Sequence, residues 1–332
     1  MRRALRLAVF TGVVLAALVV AFVVAARISG RQVPIDVVAA SAQRDGVALD
    51  SRLVATNGTR LHVVQAGPAD GPPVVLLHGY PEFWWGWHEQ IARLAKAGFR
   101  VIAPDQRGYN ASDKPDGIEA YRIDELTADI IGLMDALGHR QAYLAGHDWG
   151  GAIAWYLAIE HPERFRKLAM FNSAHPLAWV DALQGPKEER TISWYRTFFQ
   201  LPWLPELTAR VGNWGLLAKN LRDTSRPGTF PEADLDYYRY AWDRDGAMGS
   251  MVNWYRAIYR YPHAVTGDGQ VQIPVRIVWG MRDRFFESRM GRLSLQHCAH
   301  ATLVEVPDAG HWLLHEEPEL TSREMIEFFG QG

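Results

Sequence analysis

The chain predicts an α/β fold, a mostly parallel eight-stranded sheet flanked by helices with a helical cap inserted between strands. Three observations carry this. Short apolar runs ("PPVVLLHG", "RVIAPD", "QAYLAGHD", "KLAMFNS", "VRIVWG" and "ATLVEVPD") alternate with helical patterns, the rhythm of a parallel sheet whose strands are buried on both faces. Ahead of them, "SRLVATNGTRLHVVQAG" gives two β-rich runs around Asn57-Gly58, a strong hairpin signal. From residue 176 to about 268 the strand-like runs vanish, and Trp-, Tyr- and Arg-rich helical patterns punctuated by Pro186, Pro202, Pro205, Pro227 and Pro231 replace them.

Taken in order, Leu7 to Ala26 is an apolar run interrupted only by Thr11 and Gly12, about the ~20 residues a helix needs to cross a bilayer. Arg2, Arg3 and Arg6 precede it, against Arg27 and Arg31 after it. That bias predicts a cytoplasmic N-terminus and a catalytic part on the other side of the membrane. An uncleaved anchor over residues 1–30, with the bilayer as a partner, is preferred to a cleaved signal that would leave a secreted or periplasmic protein, because signal cores are usually shorter. Residues 31–50, with Pro34, Asp45 and Gly46, read as a linker. The sheet core then occupies 51–175 and 269–332, and the cap 176–268. Within the core, "IDELTADIIGLMDALG" places Leu126, Ile130, Leu133 and Leu137 on one helical face.

Composition excludes little but usefully. With 48% apolar and 22% charged residues and a net charge of −2, no basic patch recommends nucleic acid as a partner. Oligomeric state stays open. Cys298 is the only cysteine, so no intramolecular disulfide and no thiolate metal cluster is available. "HCAH" at residues 297–300 lacks partner ligands, and no metal or cofactor is expected.

The chemistry centres on "LAGHDWGGAIAWYLA". The frame G-x-nucleophile-x-G marks a tight strand-to-helix turn that normally carries serine; here it carries Asp148. Capping of the following helix is the bland alternative. Three distant features favour catalysis. Asp283 in "MRDRF" and His311 in "PDAGHW" each follow a strand, in the chain order nucleophile, acid, histidine of a hydrolase triad. "HGYP" at His78–Pro81 follows another strand end, where such folds supply an oxyanion-hole N–H. A serine attacking an sp³ carbon would leave an ether with no easy exit. A carboxylate leaves an ester that water can cleave, so Asp148 suits epoxides or alkyl halides. His311, oriented by Asp283, would activate that water, and the backbone N–H groups of Tyr80 and Trp149 would hold the oxyanion. An opening epoxide also needs an O–H donor, which directs attention to Tyr195 and Tyr255 in the cap.

"HGYPEFWWGWHEQIARLAKAGFRVIAPDQRGYNASDKP" and "GHDWGGAIAWYLAIEHPERFRKLAMFN" resemble the soluble epoxide hydrolase branch of the α/β-hydrolase superfamily, from about residue 52 to the end. The resemblance implies cofactor-independent hydrolysis of epoxides to vicinal diols. It implies that Asp148 is the nucleophile, Asp283 the charge-relay acid and His311 the base. Tyr195 and Tyr255 match the tyrosines that polarise the epoxide oxygen, and Tyr80 and Trp149 the oxyanion-hole positions. Pro81 matches a typically cis proline. Asn110 departs from the usual "RGYGxS" and is expected to tolerate a left-handed turn. His78, Pro81, Phe83 and Trp84 are expected around the substrate, and Phe83 and Trp84, with Trp203 and Trp214, suggest an apolar one. A haloalkane or haloacid dehalogenase shares the Asp nucleophile but usually lacks the paired tyrosines or needs arginines after it. A non-catalytic binding protein on the same fold is the alternative of another class.

Overall fold

Gly58 turns the chain at a φ of +67°. The residues beside it pair as an antiparallel hairpin, β1 (Leu49–Thr56) against β2 (Thr59–Ala66). The computed structural model describes residue 14, residues 36–184 and residues 194–331. The chain continues through β3 (Pro73–Leu77), α2 (His88–Lys96), β4 (Arg100–Pro104), α3 (Ile123–Ala136), β5 (Ala142–His147), α4 (Asp148–Glu160) and β6 (Phe165–Phe171). After an excursion of helices it returns to β7 (Val275–Gly280), α10 (Met290–Leu295), β8 (Ala301–Val306), α11 (Leu313–Glu316) and α12 (Pro318–Gly330).

The eight strands lie in the order β1-β2-β4-β3-β5-β6-β7-β8. Only the β1–β2 and β2–β4 pairs are antiparallel; the other neighbours run parallel. Every residue of β5 is buried, which is why that run reads as continuously apolar rather than alternating. On α3 the predicted stripe faces inward, with Leu126, Ile130 and Leu133 all at 3% exposure or less; each such side chain contributes roughly 1.5–3 kcal/mol by leaving water.

Between β6 and β7 stand α5 (Pro176–Gln184), α6 (Trp194–Phe198), α7 (Leu204–Thr224), α8 (Glu232–Trp242) and α9 (Ala247–Arg260). Val211 to Trp214 leave helical geometry and break α7 into two pieces. Aromatic side chains tie these helices to the sheet-side loops. Trp242 Nε1 donates to the Pro81 carbonyl at 2.6 Å, Trp254 Nε1 to the Arg107 carbonyl at 3.0 Å, and Tyr238 Oη to Glu82 Oε1 at 2.7 Å.

Two expectations at the N-terminus need correction. Within the expected linker lies a helix, α1 (Val37–Asp45), whose start is capped by Asp36 Oδ1 accepting from Ala39 N at 2.9 Å. Its end is closed by Gly46 at a φ of +63°. Asp45 is the last residue of that helix and Gly46 its cap, not turn punctuation in a linker. The membrane location is overturned: among the described residues no helix is long and apolar enough to cross a bilayer. Even the 21-residue α7 carries Glu206, Arg210, Lys219 and Arg222. Of the expected span, Leu7 to Ala26, all but Val14 lies outside the described residues.

Candidate active site

The C-terminal ends of the parallel strands gather the chemistry, as open α/β sheets do. Asp148 stands immediately after β5 with a φ of +49°, a left-handed conformation that an aspartate holds only when its surroundings enforce it. The enforcement is close packing behind the turn. A Cβ on Gly150 would stand 2.2 Å from the Leu77 carbonyl oxygen, and one on Gly151 would stand 2.3 Å from Ser173 Cβ. The Asp148 carbonyl accepts from Ser173 Oγ at 2.8 Å. Its side chain reaches across to the loop after β3, where Oδ1 accepts from Tyr80 N at 2.9 Å.

His311 follows β8 and Asp283 follows β7. His311 Nδ1 lies 2.8 Å from Asp283 Oδ2, and its Nε2 lies 3.5 Å from Asp148 Oδ2. Asp283 is itself held from several directions: Oδ1 accepts the backbone N–H groups of Phe285 and Phe286 at 2.7 and 3.0 Å, and Oδ2 accepts Asn172 Nδ2 at 2.7 Å. The imidazole is therefore fixed with Nδ1–H toward Asp283 and Nε2 toward Asp148.

Electrostatics follow from this packing. Burial alone would raise the Asp148 carboxyl, but His311, His147 and the Tyr80 N–H outweigh it and hold it below its ordinary value. Burial likewise opposes charge on His311, yet Asp283 and Asp148 together push it up to about 10. The resting site is an ion pair with a deprotonated carboxylate at position 148.

Asp148, Tyr80, Pro81, Tyr195, Tyr255 and His311 share the wall of one cavity of roughly 450 Å³. The Tyr80–Pro81 peptide bond is cis. The rings of Tyr195 and Tyr255 meet edge to face at 6.0 Å, and that of Trp149 meets Tyr255 at 5.0 Å. Trp149 stands in the first turn of α4, where backbone N–H groups have no intrahelical acceptor. Burial, followed by the Asp148 charge, lifts the Tyr255 hydroxyl well above its ordinary value, so it stays a proton donor at neutral pH. The rest of the cavity is mostly apolar, including Phe198, Phe199, Leu217, Met248, Phe285 and Trp312.

Three residues expected around the substrate lie elsewhere. His78 is fully buried, with its ring between the Gly79 carbonyl and the Gln106 backbone N–H. Phe83 packs against Trp84 and Tyr238 at 6.0 and 5.5 Å. Trp84 borders a separate recess with Tyr240 and Arg244. The loop after Pro81 dives under the cap, so its aromatics build the floor of the fold and not the pocket. Trp203 and Trp214 are also absent from the lining. Asn110 does take a left-handed φ of +38°, with Nδ2 donating to Asp105.

Sequence reasoning missed three supporting residues. Asn172, Glu82 and His147 carry no periodicity that marks them, though His147 adjoins the nucleophile. Glu82 is fully buried and reaches His315 Nε2 at 2.7 Å.

Comparison with known proteins agrees with this architecture. A model of the alpha/beta hydrolase fold matches residues 72–318. AB hydrolase superfamily protein YfhM of Bacillus subtilis is 44% identical over 86% of this chain and 98% of its own length. Epoxide hydrolase 4 of Homo sapiens is 34% identical over 80% of this chain and 75% of its own. A crystal structure of a Bacillus megaterium epoxide hydrolase with an inhibitor superposes with a TM-score of 0.77 at 29% identity, covering 84% of this chain and all of the other. The chain belongs to the α/β-hydrolase fold family, among its epoxide-hydrolase-like members.

Proposed function

We propose that the chain is an epoxide hydrolase converting an apolar epoxide to a vicinal diol through a covalent ester on Asp148. The observation that carries this reading is the Asp148 carboxylate on its left-handed turn, in a cavity whose wall also includes Tyr195 and Tyr255. With Oδ1 held by the Tyr80 N–H, Oδ2 is the attacking atom. It bonds to an epoxide carbon while the carbon–oxygen bond of the ring breaks. The departing alkoxide takes its proton from a tyrosine hydroxyl.

Ester formation removes the charge on Asp148. One of the two carboxylates that hold the proton on His311 is then gone, and the imidazole gives that proton up to the tyrosinate left by ring opening, restoring its hydroxyl. Neutral His311 takes a proton from water, and the hydroxide adds to the Asp148 ester carbon. The resulting oxyanion occupies the Oδ1 position beside the Tyr80 N–H, with the Trp149 N–H as the second donor, a class of interaction worth about 3–4 kcal/mol per donor. Collapse expels the diol alkoxide, which takes the proton from His311; the Asp148 carboxyl then passes its remaining proton to His311 and restores the ion pair.

The size and apolar lining of the cavity support a hydrophobic substrate. The test is a side-by-side assay of aryl and alkyl epoxides against haloalkanes, with diol and halide both quantified. Diol formation without halide release is expected. Halide release without epoxide opening would transfer the site to dehalogenation.

A further inference from the structure

On the flank of the fold, α1 lies against α2, and neither helix contributes to the catalytic cavity. Asp45 is the last residue of α1; His88 and Glu89 are the first two of α2. One ligand atom from each can be chosen so that all three lie within 4.8 Å of one another. Among the described residues this is the one such group of histidine, cysteine and carboxylate side chains. Asp45 stands before residues 72–318, the part matched by the family model, so this cluster joins the N-terminal helix to the family fold.

Proximity of two carboxylates alone would mean little. The informative member is His88. Its side chain is only 4% exposed, and its Nε2 is buried without a hydrogen-bond partner. The other ring nitrogen, Nδ1, meets the Trp85 carbonyl at 2.9 Å and must donate to it. With Nδ1 carrying the hydrogen for that bond and no partner within hydrogen-bond reach of Nε2, the ring presents a lone pair at Nε2. The Trp85 ring lies flat against the imidazole, centroids 4.1 Å apart and planes within 1°, which fixes where that lone pair points.

It points at acceptors. Glu89 Oε1 stands 4.0 Å from Nε2, while Oε2 is engaged by Arg93 at 3.2 Å. The Asp45 carboxylate accepts from Ser41 Oγ at 2.9 Å. A lone pair facing two carboxylates repels them unless a cation stands between. Arg93 holds only Glu89 Oε2, Arg44 pairs with Asp234 at 2.8 Å, and Lys96 Nζ donates to the Asp45 backbone carbonyl, so no cation bonds to His88 Nε2.

We propose that Asp45, His88 and Glu89 bind a first-row divalent cation, of which Zn²⁺ is the representative, clasping α1 to α2. An imidazole with two carboxylates suits zinc-type ions, whereas magnesium and calcium prefer oxygen donors alone. The Nδ1–H bond to a backbone carbonyl is the outer support that metal-bound histidines characteristically have, and Ser41 supports Asp45 in the same way. Zinc bonds of roughly 2.0–2.2 Å put tetrahedral ligand atoms about 3.4 Å apart, so atoms that now lie within 4.8 Å of one another must close by up to about 1.4 Å, which requires side-chain rotation of Asp45 and Glu89, neither of them fully buried. Water completes the coordination.

The experiment is calorimetric titration of the full chain, stripped with a chelator, with ZnCl₂, accompanied by thermal melts. One saturable Zn²⁺ per chain, a raised melting temperature, and no such effect from MgCl₂ are expected. Asp45→Asn and Glu89→Gln should each weaken binding at least about tenfold, since losing even a supporting partner of a ligand costs that much. His88→Gln should abolish it; if that buried substitution prevents folding, the other two variants carry the test. Absence of saturable binding overturns the proposal. So does Zn²⁺ affinity unchanged in both Asp45→Asn and Glu89→Gln, which would place the ion at His297 and His300 or at the catalytic histidine.

Discussion

His147 donates through Nε2 to the backbone carbonyl of His311 at 2.9 Å. The residue before Asp148 thus holds the main chain of His311. On its far side, His147 Nδ1 lies 3.3 Å from Glu82 Oε2, at contact distance but off hydrogen-bond alignment. Glu82 also reaches His315 Nε2 and Tyr238 Oη, each at 2.7 Å. One buried carboxylate therefore links the loop after β3, the turn after β5, the segment after β8 and the cap.

Glu82→Gln tests that hub. Burial opposes the carboxylate charge, but His315 and His147 outweigh it and hold the group well below its ordinary value. Removing the charge from such a buried cluster should cost on the order of 3–5 kcal/mol, read from the denaturant midpoint. Because the folded-state value is depressed, the contribution is present above the ordinary value of 4.5 and fades as pH falls below it. Wild type and variant should therefore converge in acid. A variant as stable as wild type at pH 7 would remove the hub.

The His311 proton makes the opposite prediction in base. Its folded-state value of about 10 exceeds the ordinary 6.5, so the stabilisation is complete below pH 6.5 and drains away as pH climbs through about 10. Melting temperatures should fall more steeply over that interval for wild type than for His311→Gln. Parallel curves would show that His311 is not held protonated in the resting fold.

In the proposed mechanism the cap tyrosines serve only one of the two chemical steps. Tyr255→Phe and Tyr195→Phe should slow alkylation of Asp148, by roughly 100-fold or more for the pair, and leave ester hydrolysis little changed. Stopped-flow tryptophan fluorescence separates the phases, given Trp149 and Trp312 beside the site. Equal slowing of both phases would make the tyrosines structural.

The turn itself predicts a folding defect. Gly150→Ala would drive a Cβ to 2.2 Å from the Leu77 carbonyl oxygen. The clash is with backbone, so the cost should exceed the roughly 1–3 kcal/mol typical of overpacking. Soluble, fully stable Gly150→Ala protein would mean the turn is looser than the packing indicates.

The triad was legible because its members follow strand-like runs: "VRIVWG" delivers Asp283, "ATLVEVPD" delivers His311, and the tight glycine frame delivers Asp148. Their support was not. Asn172 holds Asp283, His147 holds the His311 carbonyl and Glu82 stands behind His147, all through contacts between distant segments, which local patterns do not encode. The pocket was misread for a related reason. His78, Phe83 and Trp84 sit near Pro81 in sequence, but His78 is buried against Gly79, Gln106 and Tyr109 and the chain after Pro81 carries Phe83 and Trp84 beneath α8, while Phe198, Leu217 and Phe285 supply the wall. At the N-terminus, Asp36 and Gly46 are helix caps whose meaning appears only once Val37 packs into the core.

The central claim is that the oxygen attacking the epoxide belongs to Asp148 and not to water. A single turnover in ¹⁸O-water with enzyme in excess, followed by mass analysis of the peptide containing Asp148 and of the diol, tests it directly. The label should enter the Asp148 carboxylate and leave the first diol unlabelled. Label in that first diol, with an unlabelled peptide, would contradict the covalent route.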